Sequence, residues 1–261
     1  FKARAGQIAG LRSVVPNLSF QFISPNEKQV AVDFGNPPTS GDNDRFFDLQ
    51  WGHDAVNAPE AWNAGLFGAG VRVAVLDTGF DLDHPDLAPN INLGLSMNFV
   101  PGETLSYALP DAFSHGTHTA GTIAAADNGL GTIGVAPQAE LVLLKVLSDA
   151  GSGSFEGVIS AIVYAANGDA DIISMSLGAV LKKSGFCDAE GCMTAREVAE
   201  LSVALARATN YANQQGVTIF ASEGNDAIDK DHTADVTTLP ADAPHVIAIA
   251  ATAPSGWAVD P

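Results

Sequence analysis

From Val71 onward the chain alternates short apolar runs with segments of helical length, and few folds accommodate that rhythm. The runs are Val71 to Leu76, Leu141 to Leu147, Asp171 to Leu177, Val217 to Ala221 and Val246 to Ala251. Between them, Thr117 to Ala126, Phe155 to Asn167 and Ala195 to Gln215 read as helices, the last with Val198, Leu201, Leu205 and Ala208 on one stripe. A run that is apolar at successive positions has no face to show to water, so it must be covered on both sides. The pattern predicts an α/β fold, a mostly parallel sheet with helices on both faces in three layers. Its functional groups gather where the strands end at their carboxyl side.

Residues 44–261 read as this domain. Residues 1–43 read as an N-terminal extension or pro-segment remnant with a linker, because Phe34 to Asn43 is dense in Gly, Pro, Asn and Asp. The start, Phe1-Lys2-Ala3, has no initiator Met and no signal-peptide core, so both ends read as cut, and the sheet is expected to be incomplete at the C-terminus.

Charge narrows the partners. With 12 basic against 30 acidic side chains the formal net charge is -18, which argues against nucleic acid or an anionic membrane surface. No apolar run approaches the roughly 18 residues of a membrane helix. The expectation is a secreted, extracellular monomer. Cys187 and Cys192 lie in Cys-Asp-Ala-Glu-Gly-Cys, a spacing that permits a local disulfide, whereas a metal pair would need ligands the neighbourhood lacks.

Asp77 follows the first buried run in Val75-Leu76-Asp77-Thr78-Gly79, so its carboxylate emerges where such a sheet presents functional groups. Alone it could equally be a turn former, a metal ligand or a nucleophile. His115 opens a helix in Ser114-His115-Gly116-Thr117-His118-Thr119-Ala120-Gly121, whose small residues permit close packing beneath it. His115 and His118 as a metal pair lack a general-base Glu and a third ligand in helical register.

Together these segments resemble the subtilase family of serine peptidases in both motifs and in their order. The resemblance extends over Trp51 to about Ala251 and includes Asp81 to Leu87, Gly134-Val135-Ala136-Pro137, Lys145-Val146-Leu147, Ser174 to Gly178 and Gly224-Asn225. It implies a serine endopeptidase acting on proteins or peptides. His115 would be its general base, Asp77 the group that orients the imidazole, and Asn225 a donor to the oxyanion. Gly151, Ser152 and Gly153 on one side and Ser176, Leu177 and Gly178 on the other would pair with an extended substrate, with Leu147, Phe155 and Leu177 lining an apolar subsite. A structural Ca2+ would be held by Asp86, the Asn128 side chain, the carbonyls of Ala126, Leu130 and Thr132, and Asp44. The chain's own pro-segment is a further expected partner. Glu223 departs from the pattern, standing where the family usually has a small residue.

The nucleophile of the family sits in a Gly-Thr-Ser-Met-Ala-like motif, which this sequence does not contain, nor does it hold a Gly-x-Ser-x-Gly elbow. The expectation is that the serine lies beyond Pro261 and that the chain alone is inactive. The competing reading is a subtilase-like binding or scaffold protein without catalysis.

Overall fold

A computed structural model describes residues 11, 13–22, 42–109, 113–187 and 191–252. The breaker-rich stretch before Asp42 and the residues between Cys187 and Gly191 lie outside the described residues. In chain order the strands are β1 (Ser19–Gln21), β2 (Arg72–Asp77), β3 (Met97–Asn98), β4 (Glu140–Lys145), β5 (Ser152–Ser154) and β6 (Ile172–Met175). They continue as β7 (Ala179–Lys182), β8 (Gly185–Cys187), β9 (Cys192–Thr194), β10 (Thr218–Ser222), β11 (Val236–Leu239) and β12 (Val246–Ile249). The helices are α1 (Trp51–Ala55), α2 (Ala58–Asn63), α3 (His115–Ala124), α4 (Phe155–Asn167) and α5 (Ala195–Gln214).

Six strands form one sheet in the order β12-β10-β6-β2-β4-β3, and every neighbouring pair is parallel. The double-sided burial expected from the apolar runs is present residue by residue. Val73 and Val75 of β2, with Leu141 and Leu143 of β4, pack on Ala120 and Ala124 of α3. The intervening Ala74, Leu76, Val142 and Leu144 pack on the opposite face, against Val158, Ala161 and Ile162 of α4 in the cluster that also takes in α5. That alternation is the strand period of two acting on a strand with no polar side.

Local signals explain the helix boundaries. Ser114 caps α3 by accepting from the Thr117 amide at 3.0 Å, and Ser154 caps α4 through Gly157 at 3.3 Å. At the start of α5, Thr194 and Glu197 close a reciprocal capping box. The hairpin of β8 and β9 carries the Cys187–Cys192 disulfide that the spacing allowed.

Close packing of α3 depends on one glycine outside it. The strip Gly134 to Ala136 runs along the end of this helix, donating to the carbonyls of Ala125, Thr122 and Ile123 at 2.8–3.1 Å. A Cβ at Gly134 would sit 2.5 Å from backbone atoms of Ala124 and Ala125. Gly134→Ala is therefore expected to lower the unfolding free energy by about 1–3 kcal/mol in urea titrations, as overpacking does. Gly52→Ala, with nothing within 4 Å of the added carbon, is expected to leave stability unchanged or raise it, since alanine is the better helix former.

Candidate active site

Asp77 is the last residue of β2, and by the alternation above its side chain faces α3, as those of Val73 and Val75 do. It has no solvent exposure. A buried carboxylate must have its lone pairs answered, and the surrounding segment answers them. The Thr78 amide donates to Oδ1 at 2.7 Å and the Thr119 hydroxyl to Oδ2 at 3.0 Å. His115 Nδ1 lies 2.8 and 3.0 Å from the two oxygens. Because an ionised carboxylate only accepts, Nδ1 carries the proton, and Nε2 becomes the ring's basic atom.

The N-terminus of α3 is fastened to the turn after β2 by three further contacts. Ser114 Oγ donates to the Gly79 carbonyl at 2.7 Å, the Gly116 amide to Thr78 Oγ1 at 2.9 Å, and the Asp81 amide to Thr117 Oγ1 at 2.8 Å. Gly116 has to be glycine, since a Cβ there would stand 2.9 Å from the Phe80 ring and from the Thr78 carbonyl oxygen. His118 points elsewhere, with its ring 5.6 Å from that of Phe113. Burial first, and then the neighbouring His115, hold the His118 pKa below its ordinary value.

Asn225 lies just past β10, two strands from β2, and Ser176-Leu177-Gly178 continue directly from β6 between them. All three segments therefore leave the same end of the sheet. Gly224 adopts φ +93°, a left-handed conformation that glycine tolerates, and turns the chain toward Asn225. Glu223 pairs with Lys230, which also reaches Asp242 at 2.8 Å, so the unusual carboxylate is met by a cation. Gly178 packs where a Cβ would meet the Ser222 carbonyl oxygen at 3.4 Å and Thr238 at 3.5 Å.

On the other side, Leu147, Phe155 and Leu177 are buried in one apolar cluster. Gly151 takes φ +85° in the turn that leads into β5. β5 pairs antiparallel with β1, in the register Ser19↔Ser154, Phe20↔Gly153 and Gln21↔Ser152. The Phe22 amide extends the ladder to the Gly151 carbonyl at 3.1 Å. Phe20 and Phe22 stand edge-on to Phe155 at 5.2 and 5.1 Å between ring centres. Sequence reasoning missed this strand, although the period-two spacing of Leu18, Phe20 and Phe22 is its signal.

Of the residues expected to hold a cation, Asp86, Asn128 and Thr132 come together. Asn128 Nδ2 lies 3.4 Å from Asp86 Oδ1, and the Thr132 amide donates to Asp86 Oδ2 at 3.1 Å. A side chain at Gly131 would overlap the Asp86 carboxylate. The Ala126 amide donates to the Asp86 carbonyl at 2.7 Å, and the Leu130 amide donates to Asn128 Oδ1 at 2.9 Å. Asp44 approaches the same loop, with the Asn128 amide 3.5 Å from its Oδ1.

Among the described residues, the acidic oxygens that converge within 4.8 Å are those of Asp42, Asp44 and Asp127, a set that meets the expected one at Asp44. Asp44 is buried and, among the described residues, its Oδ2 has no hydrogen-bond partner. An orphaned carboxylate oxygen beside two other carboxylates and an Asn-Gly loop suits a hard, oxygen-seeking cation such as calcium.

Residues 68–260 match the subtilase family, and the chain belongs to it. Among curated relatives, Subtilisin Savinase of Lederbergia lenta is 42% identical over 177 residues, covering 68% of this chain and 56% of its own length. Subtilisin E of Bacillus subtilis is 37% identical over 203 residues, 78% of this chain and 46% of the relative. The chain spans about half the length of the curated relatives it matches. Among solved structures, the epidermin leader peptide processing serine protease of Staphylococcus aureus superposes with a TM-score of 0.64 at 25% identity, over 80% of this chain and 52% of that one. A lanthipeptide protease superposes with a TM-score of 0.60 at 29% identity, over 75% of this chain and 53% of that one.

The carboxylate cluster has a pH signature. Burial first, and then the hydrogen bond with Asp42, raise Asp44 from 3.8 to about 6. The unfolded chain sheds this proton near 3.8, while the folded chain keeps it to about 6. In chelator, stability is therefore full below pH 3.8 with respect to this group and declines as pH rises toward 6. Denaturation of the chain at pH 4 and pH 7 is expected to show a loss of about 2 kcal/mol from Asp44. Millimolar calcium is expected to restore stability at pH 7 only, and Asp44→Asn to remove both effects.

Proposed function

We propose that this chain is the Asp-His part of the catalytic domain of a secreted, monomeric serine endopeptidase, which hydrolyses peptide bonds with a serine supplied from outside these 261 residues. The observation that carries the reading is the buried Asp77 carboxylate held against His115 Nδ1 at the carboxyl end of the parallel sheet. With Nδ1 donating to Asp77, Nε2 is the atom that takes the serine proton as the hydroxyl attacks the scissile carbonyl, and it returns that proton to the leaving amine. Asp77 keeps the tautomer and stabilises the imidazolium as it forms. Asn225 donates its side-chain amide to the oxyanion. Without the serine the chain forms no acyl-enzyme, so by itself it hydrolyses nothing.

The substrate is an extended peptide added as a strand between Gly151-Ser152-Gly153 and Ser176-Leu177-Gly178. The antiparallel seating of β1 on β5 supports this, since that edge accepts main-chain pairing there with two aromatic side chains directed onto Phe155. The same seating supports residues 13–22 as part of a pro-segment that occupies the peptide-binding edge. Asp44, Asp86, Asn128 and the loop carbonyls of Ala126, Leu130 and Thr132 hold a structural calcium, whose contribution is to lock this loop to the N-terminal part of the domain. Among the described residues no helix is long and apolar enough to cross a membrane.

The test is the full-length parent. It is expected to cleave peptide amides and to be silenced by a serine-directed fluorophosphonate. Asp77→Asn is expected to lower kcat by about 10,000-fold, and Asn225→Ala by about 100- to 1,000-fold, the scale on which a subtilisin loses turnover when it loses an oxyanion donor of this kind. A reading frame that ends without a serine in such a motif, together with retained peptide binding, would instead establish the non-catalytic binding protein. A synthetic peptide of residues 13–22 is expected to inhibit competitively. Replacing Phe20 and Phe22 in it by alanine is expected to weaken inhibition by at least about 10-fold, given the apolar area lost.

A further inference from the structure

Lys145 is the last residue of β4 and the register partner of Asp77. Like Leu141 and Leu143 it lies on the α3 face, so the two charged side chains emerge side by side at the end of the sheet. Lys145 has no solvent exposure. An ammonium so placed requires compensating charge, and two carboxylates supply it: Glu103 Oε2 at 2.7 Å and Asp149 through Oδ1. Neither is used by the mechanism above.

These carboxylates join three segments. Asp149 Oδ2 accepts from the Ala108 amide at 2.8 Å, and the Asp149 amide donates to Glu103 Oε2 at 3.1 Å. The triad thereby closes the 103–108 loop onto the turn Ser148 to Gly151. That turn is held by Gly151 N to Ser148 O at 2.8 Å and Ser148 N to Ser152 O at 2.7 Å, and it leads straight into β5. On the other side the triad packs over Gly79. A Cβ there would stand 2.9 Å from Lys145 Nζ and 2.8 Å from Tyr107 Cα. One charge cluster centred on a buried ammonium thus touches the turn that follows Asp77 and the turn that delivers the peptide-binding edge.

We infer that Lys145, Asp149 and Glu103 are positioning residues that hold the strand Gly151 to Ser154 at a fixed offset from Asp77 and His115. The kinetic part of this inference rests on the peptidase reading. The structural part does not, because β1 already occupies the edge in this chain and reports its order.

The first measurement is residue-resolved amide exchange on the chain with Lys145→Met. Protection of the Ser148, Gly151 and Phe22 amides is expected to fall at least about 10-fold while β2 and β6 keep theirs. Unchanged protection at the edge, or an equal loss throughout the sheet, would overturn the inference. Glu103→Gln leaves the Lys145–Asp149 pair in place and covers the case in which the first variant does not fold; the same local pattern, smaller in size, is expected of it. The second measurement compares two substrates in the full-length parent. For an extended peptide amide kcat/KM is expected to fall about 10- to 100-fold in Lys145→Met, mainly through KM, because a displaced strand misplaces the bound chain. For a single-residue ester, which does not reach the edge, it is expected to stay within about twofold. Equal losses on both substrates would count against positioning. If the wild-type parent cleaves neither, the peptidase reading fails and the exchange data alone decide.

Discussion

A carboxylate with no exposure to water is the point on which the arrangement turns. Asp77 can be buried only because Thr78, Thr119 and His115 direct donors at it, and the last two do so only if the first turns of α3 lie against the end of β2. The burial cost of one side chain thus enforces the docking of a helix. Ser114 does double duty there, capping α3 and donating to the Gly79 carbonyl. Gly116 and Gly134 remove the side chains that would hold the helix away. The imidazole is then presented at the carboxyl end of the sheet in one tautomer, with Nε2 as its basic atom.

A parallel sheet makes one end of itself chemically rich, since every strand points the same way and every loop after a strand leaves on the same side. The carboxyl end of β2 carries Asp77, and the segments after β4, β6 and β10 carry the Ser148–Gly151 turn, Ser176–Gly178 and Asn225 respectively. Lys145 adds a second buried charge beside the first. The two differ in how they are satisfied: Asp77 by neutral donors and a histidine, Lys145 by two carboxylates drawn from separate loops. Breaking an ion pair of this kind leaves an uncompensated buried charge.

Much of this was legible in the residue order. The apolar runs predicted the parallel sheet and its double-sided burial, and the Val75–Gly79 and Ser114–Gly121 segments marked Asp77 and His115 as strand-end and helix-start groups. The spacing of Cys187 and Cys192 allowed the disulfide that is present. Less legible were features made by distant segments. Thr119 as a partner of Asp77 is an ordinary helical threonine until the helix is docked. The seating of Phe20 and Phe22 on Phe155 joins segments separated by more than a hundred positions. Asp44 stood among the expected cation ligands, but Asp42 and Asp127 are unremarkable acids in an acidic chain, and only folding brings the oxygens of all three within 4.8 Å.

The sequence by itself determined the class of fold and the two motifs, because strand and helix periods and the residues flanking them act over a few neighbours and are written locally. Tertiary structure alone decided which groups answer the buried charges. Half-buried Glu223 is met by Lys230, buried Lys145 by Glu103 and Asp149, and the β5 strand by the chain's own β1. Those pairings depend on distances across the sheet end, and burial there leaves a charge no partner but the one that packing brings to it.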